Sequence, residues 1–269
     1  MYLEYYKLTE FPFNITPDPR FLYFSPQHRD AYDHLMYGIK QRKGFIELTG
    51  EVGSGKTTLC RAVLANLDGN VESALILNPS LTETQLLRAM LNDFGLDSKG
   101  RDRLAYIETL NEFLLERNRE NTNVCLIIDE AQDLSPQVME QVRLLSNLET
   151  DQQKLIQIVL CGQPELKDRL ARPDLRQLRQ RITVRYHIPP LSLESTAAYI
   201  RHRLWVGGSD GSLSFSPDAV HELHRYSKGG PRVINAVCDN ALLAGYVAQT
   251  MTIDIHCIRK AIRQLEGPR

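Results

Sequence analysis

The chain has little of what marks a membrane protein or an exported one. It contains no apolar run long enough to span a bilayer. Its start, Met1-Tyr2-Leu3-Glu4, lacks the basic region and apolar core of a secretory signal. A charge bias is missing too. Thirty-two Lys and Arg stand against 33 Asp and Glu, for a formal net charge of −1. No global basic field therefore points to nucleic acid or an anionic membrane, although a local basic patch is compatible with that balance. The five cysteines (Cys60, Cys125, Cys161, Cys238, Cys257) are scattered, odd in number and form no CxxC. Three of them lie in apolar segments and read as small core residues, and the pattern points to a reducing cytosol. His221-Glu222-Leu223-His224 is not the HExxH of a metalloprotease, because the second histidine comes one residue early. No serine or cysteine nucleophile motif, internal repeat or low-complexity tract occurs. The remainder is ordinary, with 42% hydrophobic and 24% charged residues among 269. That length holds one large domain, or one domain and a small second one.

What is present is organised around Gly50-Glu51-Val52-Gly53-Ser54-Gly55-Lys56-Thr57. The apolar run 45–48 precedes it, and Thr58-Leu59-Cys60-Arg61-Ala62-Val63-Leu64 follows. The context is strand, glycine-rich turn and helix start, which is what a Walker A phosphate loop requires. The glycines let backbone N–H groups turn inward and approach phosphate oxygens, and the helix N-terminus adds positive potential. Lys56 has the reach for the β- and γ-phosphates. The Thr57 hydroxyl suits one Mg²⁺ coordination position. This pattern predicts ATP and Mg²⁺ as ligands.

Along the chain, residues 1–24 are rich in aromatics and prolines, including Tyr2, Tyr5, Tyr6 and Phe11-Pro12-Phe13. The prolines disfavour a continuous helix. We expect an extended arm over the main domain, its aromatics either walling an adenine pocket or simply packing. Ser25-Pro26 looks like a helix cap with proline at the first position, and a helix to about Lys40 should follow. Strands are predicted over 45–49, 73–77, 124–128, 155–161 and 182–188. Helices are predicted after the phosphate loop and over 82–94 and 101–119, with another from Ser135-Pro136. The run Val124-Cys125-Leu126-Ile127-Ile128 is the most hydrophobic in the chain, as in a parallel strand covered on both faces. After Pro189-Pro190 no strong strand signal remains. Three or four helices are expected, at about 193–206, 217–227, 231–248 and 254–265, with 207–214 a loop. The expected division is an arm (1–24), an α/β domain (25–190) and a helical domain (191–269).

The other chemistry falls at strand ends. Asp129 closes the buried strand 124–128 and reads as a Walker B carboxylate for Mg²⁺. Glu130 follows it and is the natural general base for the attacking water. Gln163, after the next strand, suits a sensor of the γ-phosphate or the lytic water. Asn78 could hold Glu130 in an inactive pose. In Leu175-Arg176-Gln177-Leu178-Arg179-Gln180-Arg181-Ile182, Arg181 is the first candidate and Arg179 the second for an arginine finger acting on a neighbouring subunit. In Gly229-Gly230-Pro231-Arg232, Arg232 starts a helix and is a second-sensor candidate.

With these residues the chain resembles an AAA+ ATPase over essentially its whole length. More narrowly it resembles the ExeA, or general secretion pathway protein A, group. That resemblance rests on Tyr5-Tyr6-Lys7-Leu8, Pro12-Phe13, Thr16 to Tyr23, Gly44 to Gly53, Gln163-Pro164-Glu165-Leu166 and Leu178 to Ile182. Lys7 departs from the group's usual glycine. The resemblance implies a P-loop NTPase of the AAA+/ASCE type: a parallel sheet flanked by helices, with a small C-terminal all-helical lid. It implies an oligomeric motor or switch ATPase, ring-forming where fingers act in trans, in bacterial envelope assembly such as type II secretion, pili or exopolysaccharide export. The expected place is the cytoplasm, or the inner membrane through a partner. Longer members continue into a membrane span and a peptidoglycan-binding domain, so this chain is expected to be a short paralogue or an excised domain. Transposition ATPases of the TniB and TnsC type share much of the core and imply a DNA-associated alternative, against which the near-neutral charge leans.

Overall fold

The computed structural model describes residues 2–14, 18–77, 80–150 and 153–267. In chain order the first elements are α1 (Tyr2–Tyr5), α2 (Pro26–Lys40), β1 (Phe45–Gly50), α3 (Lys56–Ala65), β2 (Val71–Ile76), α4 (Glu83–Asp93) and α5 (Arg103–Arg119). Then come β3 (Asn123–Ile128), α6 (Pro136–Leu145), β4 (Gln157–Gly162), α7 (Glu165–Leu170), α8 (Arg176–Arg181) and β5 (Ile182–Ile188). The chain ends with α9 (Leu193–Val206), β6 (Ser214–Phe215), α10 (Pro217–Ser227), α11 (Pro231–Val247), β7 (Thr252–Ile253) and α12 (Ile255–Glu266). The caps are those that the residue types dictate. Ser135 Oγ accepts from Val138 N ahead of Pro136, Thr82 and Gln85 form a capping box, and Asp102 Oδ1 accepts from Ala105 N.

The chain divides into two compact units, one of residues 29–50 and 59–188 and one of residues 1–28, 51–58 and 189–269. In the first, five strands form a parallel sheet in the order β2-β3-β4-β1-β5. β1, β3 and β4 are buried along their whole length, Glu47 and Thr49 of β1 included, while β5 at the sheet edge alternates between buried and exposed residues. On one face, Phe45, Leu126, Ile128, Ile158 and Leu160 pack with the apolar stripes of α4, α5 and α6. On the other, Gly38 of α2 lies so close to Ile46 that an added Cβ would stand 2.5 Å from its Cδ1. Because β4 lies between β3 and β1, the carboxyl ends that carry Gly50, Asp129 and Gln163 share one edge of the sheet. In open α/β sheets that edge is where ligands bind. This is the parallel sheet with flanking helices expected of a P-loop NTPase.

In the second unit, α9 to α12 pack around Leu204, Leu223, Ile234, Leu242 and Ile258. Two features here differ from expectation. First, the N-terminal residues group with the helical unit rather than standing as a separate segment. They begin as helix α1, and Tyr2, Tyr6, Leu8 and Phe13 are buried in the core of the helical unit. The Tyr6 hydroxyl reaches the carbonyls of Leu242 and Thr250 (3.1 and 3.2 Å), and Tyr2 Oη donates to Asp239 Oδ1. The phenols need partners within an apolar core, and that fixes where the segment sits. Of the two readings of the arm's aromatics, Phe13 follows the packing one, edge-on to Phe215 at 6.2 Å. Second, β6 and β7 form a two-residue parallel pair within a stretch that carries no strand signal. Pairs that short have no readable period.

Candidate functional site

The phosphate loop leaves the carboxyl end of β1 and runs into α3 without a break. Gly50 closes the strand; Glu51 and Val52 are exposed; Gly53, Gly55, Thr57 and Thr58 are half-buried; Ser54 and Lys56 are buried. The turn is drawn tight by Ser54 N–H to the Glu51 carbonyl (3.0 Å), and Lys56 Nζ donates to the same carbonyl (3.0 Å). Gly53 and Gly55 take φ of +73° and +91°, values that side chains oppose. Space sets a second requirement at Gly53, where a Cβ would lie 2.3 Å from the Cβ of Arg232. The first turn of α11 thus lies directly against the phosphate loop, and Arg232 is exposed there. Ser54 Oγ is buried and has no hydrogen-bond partner among the described residues. An orphaned hydroxyl inside a glycine loop at a helix N-terminus fits a phosphate.

His28 supports this loop from outside, and sequence reasoning missed it. Its ring is buried, with Nε2 2.8 Å from the Ser54 carbonyl and Nδ1 2.7 Å from Ser25 Oγ. A carbonyl only accepts, so Nε2 carries the proton and Nδ1 accepts from the serine hydroxyl. Burial holds the His28 pKa below its ordinary value, and the Ser54 carbonyl opposes that shift. The one available signal was Ser25-Pro26-Gln27-His28. We read Ser25-Pro26 as a helix cap, which it is, since Ser25 Oγ accepts from His28 N–H (3.2 Å).

At the end of β3, Asp129 is buried and its Oδ1 accepts from Glu130 N–H (2.9 Å). Glu130 adopts φ +50° and ψ +38°, a left-handed conformation that few non-glycine residues take outside constrained sites. Its carboxylate oxygen Oε2 accepts from Gln163 Nε2 (3.1 Å) and from Gln132 Nε2 (2.7 Å). The α/β unit therefore brings together Glu130 and Gln163, and adds Gln132, to which sequence reasoning gave no role. Asn78, the expected holder of Glu130, lies outside the described residues.

The arginines before β5 divide. Arg181 Nη1 donates to Ser146 Oγ and is engaged within its own unit. Arg179 is exposed and lines a cleft with Glu47, Lys167, Arg185 and His187; its side chain has no hydrogen-bond partner among the described residues. Burial raises the Glu47 carboxyl above its ordinary value, while Arg185 at 3.2 Å and Lys167 oppose the rise.

No helix among the described residues is long and apolar enough to cross a membrane. A family model described as an AAA domain matches residues 39–170. General secretion pathway protein A of Aeromonas hydrophila is 46% identical over 270 residues, covering 100% of this chain and 49% of that protein. The chain thus spans about half the length of the curated relative it matches. Among solved structures, Cdc6p from Pyrobaculum aerophilum superposes with a TM-score of 0.70 at 18% identity, over 93% of this chain and 69% of that one. The ORC2 protein of Aeropyrum pernix gives 0.68 at 17% identity, over 94% and 73%. At such identities these structures speak for the fold alone, a parallel P-loop sheet flanked by helices. Over residues 39–170 the chain thus matches an AAA domain, and along its whole length it is similar to general secretion pathway protein A.

Proposed function

We propose that this chain binds ATP with Mg²⁺ and hydrolyses it, working as an oligomeric switch or motor in assembly of the bacterial envelope. The observation that carries the nucleotide reading is the loop itself: buried Lys56, the orphaned Ser54 hydroxyl and the N-terminus of α3 converge on one turn. In this reading the backbone of 50–58 binds the phosphates, with Lys56 on the β- and γ-oxygens. Mg²⁺ that arrives with the phosphates needs only one or two protein oxygens, and the Thr57 hydroxyl and Asp129 carboxylate are of that kind. When bound it neutralises charge that develops on the phosphate oxygens. Glu130 accepts a proton from the attacking water, and Gln163 orients that water or the γ-phosphate. Arg232, packed on Gly53, links the start of α11 to the loaded state of the phosphate loop.

An arginine acting on a neighbour's γ-phosphate requires an oligomer. Arg179 and Arg181 are the two candidates, and Arg179 is the more available because Arg181 is bonded to Ser146. The envelope role rests on the relative's name as a general secretion pathway protein, with a secretion-system protein as partner and the cytoplasm, or the inner membrane through that partner, as its place. The test is ATP turnover with and without duplex DNA, for the wild type and the Lys56→Ala, Glu130→Gln, Arg179→Ala and Arg181→Ala variants, with light scattering for assembly. DNA-independent turnover, lost in Glu130→Gln and partly restored when an arginine variant is mixed with Lys56→Ala, supports the proposal. Turnover and assembly that require DNA at low salt would replace it with a DNA-associated ATPase.

A further inference from the structure

Gln132 sits between the proposed base and the proposed sensor and bonds to both. Its Oε1 accepts from the backbone N–H of Gln163 (3.0 Å), and its Nε2 donates to Glu130 Oε2 (2.7 Å) and, more weakly, to Asp133 Oδ2 (3.3 Å). These partners fix which way the amide points. A backbone N–H only donates and a carboxylate only accepts, so the oxygen must face Gln163 and the nitrogen Glu130. The residue's own backbone is also held, because Arg169 Nη1 of α7 donates to the Gln132 carbonyl (2.5 Å). Space is reserved for the amide in β4. A Cβ at Gly162 would stand 2.7 Å from Gln132 Oε1, although the backbone of Gly162 is not in a conformation that demands glycine.

We propose that Gln132 is a positioning residue for hydrolysis, whose amide holds the Glu130 carboxylate in register with the Gln163 loop so that base and sensor move as one unit. Glu130 in this structure receives two amide donors on one oxygen, from side chains on two different strand ends. When Gln163 turns its side chain to a phosphate, the Gln132 bond still holds Glu130, and its other end still grips the backbone of the sensor. The geometry of the base is then tied to the position of β4 rather than to the tip of a free side chain. This inference rests on Glu130 acting as the base.

The experiment uses Gln132→Leu, Gln132→Glu, Gly162→Ala, Gly162→Ala with Gln132→Ala, and Glu130→Gln. Turnover is measured at saturating ATP, together with decay of bound ATP in a single turnover, binding of a fluorescent nucleotide and thermal unfolding. Gln132→Glu keeps the acceptor for Gln163 N–H and loses the donor to Glu130, so it separates the two ends. Displacing a catalytic group by an ångström costs about a hundredfold. Gln132→Leu and Gln132→Glu are both expected to slow bound-ATP decay about ten- to a hundredfold, with nucleotide affinity within about twofold of wild type. Gly162→Ala should be slow in the wild-type background and add little to Gln132→Ala, since the two changes disrupt one contact. If both Gln132 variants decay at the wild-type rate while Glu130→Gln is dead, the positioning role is wrong and the base assignment survives. If Glu130→Gln itself decays like wild type, the base assignment is wrong and takes the inference with it. Loss of affinity and of unfolding temperature in proportion to the loss of rate would reduce Gln132 to a structural part and also overturn it.

Discussion

Replacing His28 by leucine probes how the phosphate loop is held. The ring is 4% exposed, so the leucine fills most of the same space but cannot donate to the Ser54 carbonyl or accept from Ser25. A buried carbonyl left without its donor costs about 1–3 kcal/mol. At about 2–4 °C per kcal/mol for a chain of this size, the unfolding temperature should fall by roughly 4–8 °C for a loss of about 2 kcal/mol. Under the proposed function, the same bond orders the loop in the shape that receives phosphate. If about 1.4 kcal/mol of that preference is lost, nucleotide affinity falls about tenfold. The assays are fluorescent-nucleotide titration and thermal unfolding with and without nucleotide. Ser25→Ala, which removes one partner and a helix cap worth about 1 kcal/mol, should show a smaller effect of the same kind. A pH series adds a sign. The folded-state pKa of His28 is depressed, so the unfolded chain binds the proton first. The contribution of His28 is complete above the unfolded value near 6.5 and declines as pH falls below it, by up to about 1.4 kcal/mol per pH unit, until the folded group also protonates. Wild type minus His28→Leu should show that loss as pH falls below about 6.5. A His28→Leu protein that unfolds at the wild-type temperature and binds nucleotide within twofold of wild type would refute the reasoning.

Other changes have expected outcomes as definite. Gly53→Ala places a methyl 2.3 Å from the Arg232 Cβ at a φ of +73°. It should weaken nucleotide binding at least about tenfold while far-ultraviolet circular dichroism stays as in wild type. Arg203→Met removes a buried guanidinium that donates to the carbonyls of Pro12 (2.5 Å) and Asn14 (2.9 Å) and lies over the Phe21 ring at 4.5 Å. With two charge-assisted bonds gone, urea unfolding should report a loss of about 2–4 kcal/mol, and limited proteolysis should cut first near the N-terminus. Thr57→Ala removes one proposed Mg²⁺ ligand, so the Mg²⁺ concentration for half-maximal turnover should rise about tenfold, with little change in metal-free nucleotide binding.

The α/β core was legible because its central strands are largely apolar and end at clear turns. Val124 to Ile128 reads as a doubly covered strand and is one, and the proline-led caps at Pro26, Pro136, Pro217 and Pro231 mark helix starts that the structure keeps. The glycine-rich turn between β1 and α3 was legible because its residues are consecutive. What escaped depends on contacts distant in sequence. The N-terminal aromatics announce that they must be covered, but only tertiary packing says that helices α9 to α12 cover them. His28 looks like any helix residue until its ring meets Ser54, 26 positions later. Gln132 follows Asp129-Glu130-Ala131 in plain view, yet its meaning comes from Gln163 just past the next strand, 31 residues away. β6 and β7 are two residues each, too short for the alternation that identifies a strand.

The central claim is that this chain hydrolyses ATP with Glu130 as the base. The most direct measurement is the identity of the nucleotide bound after one turnover time, by rapid quench from Mg²⁺·ATP, for wild type and Glu130→Gln. Wild type should hold ADP, and Glu130→Gln, which keeps the binding loop but cannot take a proton from water, should hold ATP. ADP in both at the same rate would contradict the claim.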